Sequence, residues 1–223
     1  MRQASSKSIF RFVAGVTLGL WVAVGAQAAA TGDVKAGESK AAMCIGCHGI
    51  PGYQNTFPEV YRVPMISGQS AAYIESALTQ YRKGDRKHPT MRGIAGPLSD
   101  QDIADLAAFY GSHSSGSKVP DTAAAPAGQV AELVNKGGCV ACHGANFNKP
   151  LAPGYPKVAG QQETYLTAAL KAYTVEGNPL VGRNNAIMGG VAKQFTHAEL
   201  KALAGYLSSL PGDVFTQPLN RFR

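Results

Sequence analysis

The chain has 223 residues, with 21 Lys and Arg against 14 Asp and Glu, a net charge of +7. The basic excess is scattered: no Lys/Arg block exceeds the short pairs Arg82-Lys83 and Arg86-Lys87, which read as solvated helix ends. That distribution offers no electrostatic footprint for nucleic acid.

Residues 1–28 read as a signal peptide. Arg2, Lys7 and Arg11 form a basic region, residues 12–25 an uncharged apolar run, and Ala26-Gln27-Ala28 a small-x-small cleavage site. The run is too short for a comfortable membrane span, so an exported, periplasmic protein is expected. Removing 1–28 leaves 18 basic against 14 acidic residues, a net of +4.

A short helix is predicted around 34–42, followed by Cys44-Ile-Gly-Cys47-His48. Next comes "PMISGQ" at 64–69, then Tyr73, Ile74, Ala77, Leu78 and Tyr81, spaced as one apolar helix face. "PTMRGIAG" at 89–96 reads as a Gly-rich loop, and Ser99-x-x-Asp102 as a capping box opening a helix with Ile103, Leu106, Ala107 and Tyr110 inward. Residues 112–128, rich in Ser, Ala, Gly and Pro, have the composition of a linker. The pattern then repeats. It runs from a helix near 129–135 to Cys139-Val-Ala-Cys142-His143 and "PKVAGQ" at 156–161. The apolar face Tyr165, Leu166, Ala169, Leu170, Tyr173 follows, then "AIMGG", then the capping box Thr196-x-x-Glu199. No alternating strand pattern appears. The reading is an all-α protein of two modules, 29–111 and 129–223, each with about three main helices and long loops.

All four cysteines belong to the two Cys-x-x-Cys-His units. A redox disulfide would sit in a thioredoxin-like βαβ pattern, which is missing. Zinc would need further nearby ligands, and a His directly after a Cys does not easily join it in one tetrahedron. Covalent haem c fits: Cys44 and Cys47, or Cys139 and Cys142, lie on one side of a helical turn for two thioethers, and His48 or His143 faces the iron. Each small, loop-rich module would gain a core from such a group.

The opposite axial position can be filled by Met, by His or by nothing. Met43 adjoins Cys44 on the proximal side and reads as packing. Met65 aligns with Lys157, which points to a core role. Met91 and Met188 each lie eight residues before a capping residue, and 43 and 45 residues after the proximal His, so they are the expected ligands. His88 has no counterpart in the second copy and reads as exposed. His113 and His197 read as structural or solvated. Two filled axial positions leave no site for small-molecule activation and point to electron transfer rather than an enzyme.

The ordered motifs "CIGCHG", "PMISGQSAAYI" and "HPTMRGIAGPLSDQDIADLAAFY", with "CVACHG", "YPKVAGQQETYL" and "IMGGVAKQFTHAELKALAGYL", resemble the dihaem cytochrome c4 family over residues 32–210. The resemblance implies tandem class I cytochrome c domains, each with one covalent haem. It implies Pro64 and Pro156 carbonyls hydrogen-bonded to the proximal imidazoles. It also implies redox-protein partners, with an upstream reductase or dehydrogenase and a downstream terminal oxidase; peripheral association with a membrane surface is compatible with it. Two other readings remain at this stage: a peroxidase-like dihaem oxidoreductase with one open haem, and an electron-accepting subunit of a dehydrogenase. The chain departs from a strict repeat in three extra residues between His48 and Pro64, and in a tail, "FTQPLNRFR", with no counterpart.

Overall fold

In the computed structural model, residues 30–218 are described; the expected signal peptide lies outside them. The first module runs through α1 (Val34–Lys40), α2 (Ala42–His48), β1 (Gln54–Asn55), β2 (Tyr61–Arg62), α3 (Ala71–Lys83), β3 (Arg86–Lys87), α4 (Pro89–Ala95) and α5 (Asp100–Ser112). The second repeats it as α6 (Gln129–Lys136), α7 (Val140–His143), α8 (Glu163–Ala172), β4 (Gly182–Arg183), α9 (Ala186–Ala192) and α10 (His197–Ser209). No helix among the described residues is long and apolar enough to cross a membrane.

Both capping boxes form. The Ser99 hydroxyl takes the Asp102 N–H at 3.1 Å while the Asp102 carboxylate takes the Ser99 N–H at 3.0 Å; Thr196 and Glu199 do the same. Two orphan helix donors are satisfied at each start. The helices so begun carry the cores. Ile74, Leu106, Phe109 and Tyr110 pack α3 on α5, and Leu133, Leu200 and Leu203 pack α6 on α10 with Phe147 and Phe195 beside them. The α1–α5 contact is polar as well: the buried Asp105 carboxylate accepts the Asp33 N–H at 2.8 Å and the Lys40 ammonium at 2.5 Å.

Several expectations are corrected. The two Gly-rich segments are not loops but the short helices α4 and α9. A Pro at the start of α4 pre-sets its φ, and the glycines that follow do not prevent one or two turns. Parts of the linker segment 112–128 are docked on the modules. Ser112 ends α5, His113 packs on the first module, and residues 120–124 lie on the second, where Ala123 donates to Ala145 O at 3.0 Å, Asn146 to Pro120 O at 2.9 Å and Tyr206 to Ala124 O at 2.9 Å. The tail returns to the first module, with Phe215 N–H donating to Ser67 O at 3.0 Å. His113 is structural there: its Nδ1 is 2.9 Å from Ser67 Oγ and its ring lies on Phe109. His197 is solvent-exposed.

The modules meet in a reciprocal seam, in the manner of an isologous interface. Gln69 donates to Lys157 O and accepts from Lys157 N–H, both at 2.9 Å. Its repeat partner Gln161 donates to Met65 O at 2.8 Å and accepts from Met65 N–H at 3.0 Å. Met65 is therefore a half-buried seam residue rather than a core residue. The preceding glycines explain the shared "GQ". Gly68 and Gly160 have φ of +80° and +73°, and a Cβ at Gly68 would fall 2.4 Å from Asp213 O. The three extra residues of the first module fall in the stretch containing the β1–β2 hairpin, which reaches across the seam. Arg62 N–H donates to Thr164 Oγ1 at 2.9 Å, and Lys171 pairs with both Glu59 carboxylate oxygens at 2.8 Å.

Candidate haem sites

Helix α2 carries Cys44, Cys47 and His48 on consecutive turns, while Cys139 caps α7 ahead of Cys142 and His143. None of the four cysteines is joined in a disulfide, and all four are half-buried. Burial pushes the Cys44 and Cys139 thiols up. The Tyr110 hydroxyl, buried without an oxygen or nitrogen partner among the described residues, stands beside Cys44.

The histidines are oriented by the chain. His48 Nδ1 lies 2.9 Å from Pro64 O, and His143 Nδ1 lies 2.9 Å from Pro156 O. A carbonyl only accepts, so each Nδ1 carries the proton and each Nε2 keeps its lone pair free. Burial holds both imidazoles below their ordinary pKa against the opposing proline carbonyls, so they are neutral. A neutral ring with a fixed tautomer and a free Nε2 is a ligand ready for a metal.

These residues line one continuous cavity of about 580 Å³ reaching into both modules. Ile74, Leu78 and Leu106 form apolar walls on one side, and Leu166, Leu170 and Leu203 on the other. Met91 and Met188, both half-buried, lie on its lining, as does Met65. Two neutral histidines, four thiols in two pairs and apolar walls fit two haem c groups, which fill flat apolar space and take thioether links. Among the described residues no cluster of three or more His, Cys, Asp or Glu could hold a bare metal ion.

The caps of α4 and α9 were not foreseen. The Met91 N–H donates to His88 Nδ1 at 3.2 Å, and His88 Nε2 lies 2.8 Å from the Tyr61 hydroxyl. In the second module the Met188 N–H donates to Asn185 Oδ1 at 2.9 Å. His88 is thus half-buried and structural, not exposed: it does the work of an asparagine. The available signal was that both residues stand three before a matched methionine. The Arg86-Lys87 pair is also corrected, since Arg86 is only 4 % exposed and sits against the cavity.

Comparison with known proteins agrees with this geometry. The cytochrome c family model matches twice, at residues 34–114 and 128–211. A cytochrome c4 of Stutzerimonas stutzeri is 32% identical over 87% of this chain and 97% of its own length. A thiosulfate dehydrogenase electron acceptor of Thiomonas intermedia is 44% identical over 90% of this chain and 91% of its own. The crystal structure of reduced recombinant cytochrome c4 from Pseudomonas stutzeri superposes with a TM-score of 0.61 at 28% identity, over 81% of this chain and all of that one. With two cytochrome c modules, two Cys-x-x-Cys-His sites and one shared cavity, the chain belongs to the dihaem cytochrome c4 family, a c-type cytochrome of electron transfer with two covalent haems.

Proposed function

We propose that the protein is a periplasmic electron carrier. In this reading one haem is attached through Cys44 and Cys47 with His48 and Met91 as axial ligands, and the other through Cys139 and Cys142 with His143 and Met188. The two domains are 29–111 and 129–223, joined by 112–128, and the export signal is 1–28. The observation that carries the reading is the matched pair of short capped helices, each placing one methionine on the cavity wall at the same place in the repeat. A haem with both axial positions filled supplies one reversible electron and no open coordination site. The chain's own part is to hold the proximal rings through Pro64 and Pro156, and to exclude water with apolar walls.

Met91→Ala and Met188→Ala are each expected to remove one Met–Fe charge-transfer band from the oxidised spectrum and open one haem to added imidazole. If Met65→Ala does this instead, or the native spectrum already shows a high-spin haem, the ligand assignment fails.

A specific observation favours a dehydrogenase as electron donor: the 44% identity to an acceptor of that kind exceeds the 32% to the cytochrome c4. Rapid mixing with a thiosulfate-oxidising dehydrogenase tests it. Reduction of both haems within the enzyme's turnover time supports the acceptor role, and no reduction removes it.

A further inference from the structure

Arg86 and Arg183 stand five residues before Met91 and Met188, and the antiparallel β3–β4 pairing sets them directly opposite each other across the seam. Arg86 donates to Gln80 Oε1 at 2.9 Å and to the Tyr73 hydroxyl at 3.0 Å; its guanidinium lies 5.1 Å from the Tyr73 ring centre and 5.7 Å from that of Tyr81. Arg183 donates to the Tyr165 hydroxyl at 3.0 Å and lies 5.5 and 5.4 Å from the Tyr165 and Tyr173 ring centres. Both line the shared cavity.

Neither guanidinium makes an ion pair among the described residues, although six other cations do. Their hydrogen-bond partners are the Gln80 side-chain carbonyl and two tyrosine hydroxyls, none of them a carboxylate. Burial pushes the Tyr73 hydroxyl up to about 12, so it supplies no anion. At Tyr165 burial acts in the same direction, but the positive charges of Arg183 and Arg86 draw that hydroxyl down. Two like charges, one buried and one partly so, are thus held together without a counter-ion, an arrangement that is costly unless an anion completes it. Haem carries two carboxylates on one edge, and a guanidinium fork is shaped for carboxylate.

We propose that Arg86 and Arg183 form one shared cationic seat for haem carboxylates at the seam, so that each arginine sets the reduction potential of both haems. The inference rests on the two-haem reading. A nearby cation favours the reduced haem, which holds one more electron, so removing it lowers the potential. The reach across modules follows from the β3–β4 pairing, which leaves no module boundary between the two charges.

The test is spectroelectrochemical titration of the full holoprotein with haem content measured first. In Arg86→Gln both midpoints should fall. At a fixed potential the ratio of reduced to oxidised haem should drop tenfold at one haem, equivalent to 59 mV for a one-electron couple, and about threefold at the other. Arg86→Lys, which keeps the charge but loses the fork, should show a smaller fall at both. Lys35→Gln, which removes an exposed cation, should move neither, because solvent and salt screen it. A shift confined to one haem, or absent from both, overturns the shared seat. If Arg86→Gln matures without both haems, Arg86→Lys and Arg183→Lys carry the test, and unchanged midpoints in them overturn it equally. Fewer than two haems in the native chain would instead refute the reading on which the inference stands.

Discussion

The smallest decision in this molecule is how a methionine is presented, and in each module it rests on one cap. The backbone N–H of Met91 is held by His88, that of Met188 by Asn185. Because Asn185 does the same work with a carbonyl oxygen, His88→Asn should leave the first site intact. His88→Ala removes the acceptor and the contact with Tyr61, and loss of a helix cap costs about 1 kcal/mol. The expected outcome is a weaker Met–Fe band and stronger imidazole binding at the first haem only, restored by the asparagine variant. An unchanged His88→Ala spectrum would show that the cap does not position the ligand. The sequence singled out both methionines through their repeat positions. It misjudged His88 because the lack of a matching histidine in the second copy concealed a matching function. Arg86 was misjudged for a related reason: its neighbours in sequence are charged, but its neighbours in space are Tyr73, Tyr81 and Gln80.

Among the elements, the long helices and the short α1 and α6 were legible, while α4 and α9 were not. An amphipathic stripe together with a capping box defines α5 and α10, since each orients several inward residues from local sequence alone. Thr196→Ala should lower stability by about 1 kcal/mol through loss of the α10 cap. Chemical denaturation of the holoprotein followed by circular dichroism measures it, with an unchanged midpoint counting against the cap. Helices α4 and α9 have seven residues each and glycines inside, so local propensity is too weak to declare them. They are held by their caps and by the cavity wall. The two-residue strands are still less visible: β3 finds its partner β4 only in the other module.

For the whole molecule, the seam determines how the two sites are placed. Gln69 and Gln161 each clasp both backbone groups of one residue in the opposite module, Lys157 and Met65. Gln69→Ala or Gln161→Ala strands a carbonyl and an N–H, at about 1–3 kcal/mol for each buried group left unpaired. The two losses should not add, because both glutamines belong to one interface. Small-angle scattering of the double variant should report a larger radius as the modules separate. An unchanged radius would mean that Glu59–Lys171, the hairpin and the returning tail hold the seam without the glutamines.

The sequence alone determined the tandem repeat, the two Cys-x-x-Cys-His motifs and the family. Each of these is written in spacing along the chain, and spacing survives without knowledge of the fold. Only the tertiary structure decided that residues 120–124 lie against the second module, that the tail returns to the first, and that Arg86 faces Arg183. Those contacts join residues up to 148 positions apart, as at Ser67 and Phe215, chosen by shape and by unpaired polar groups that find partners only when the modules close on each other.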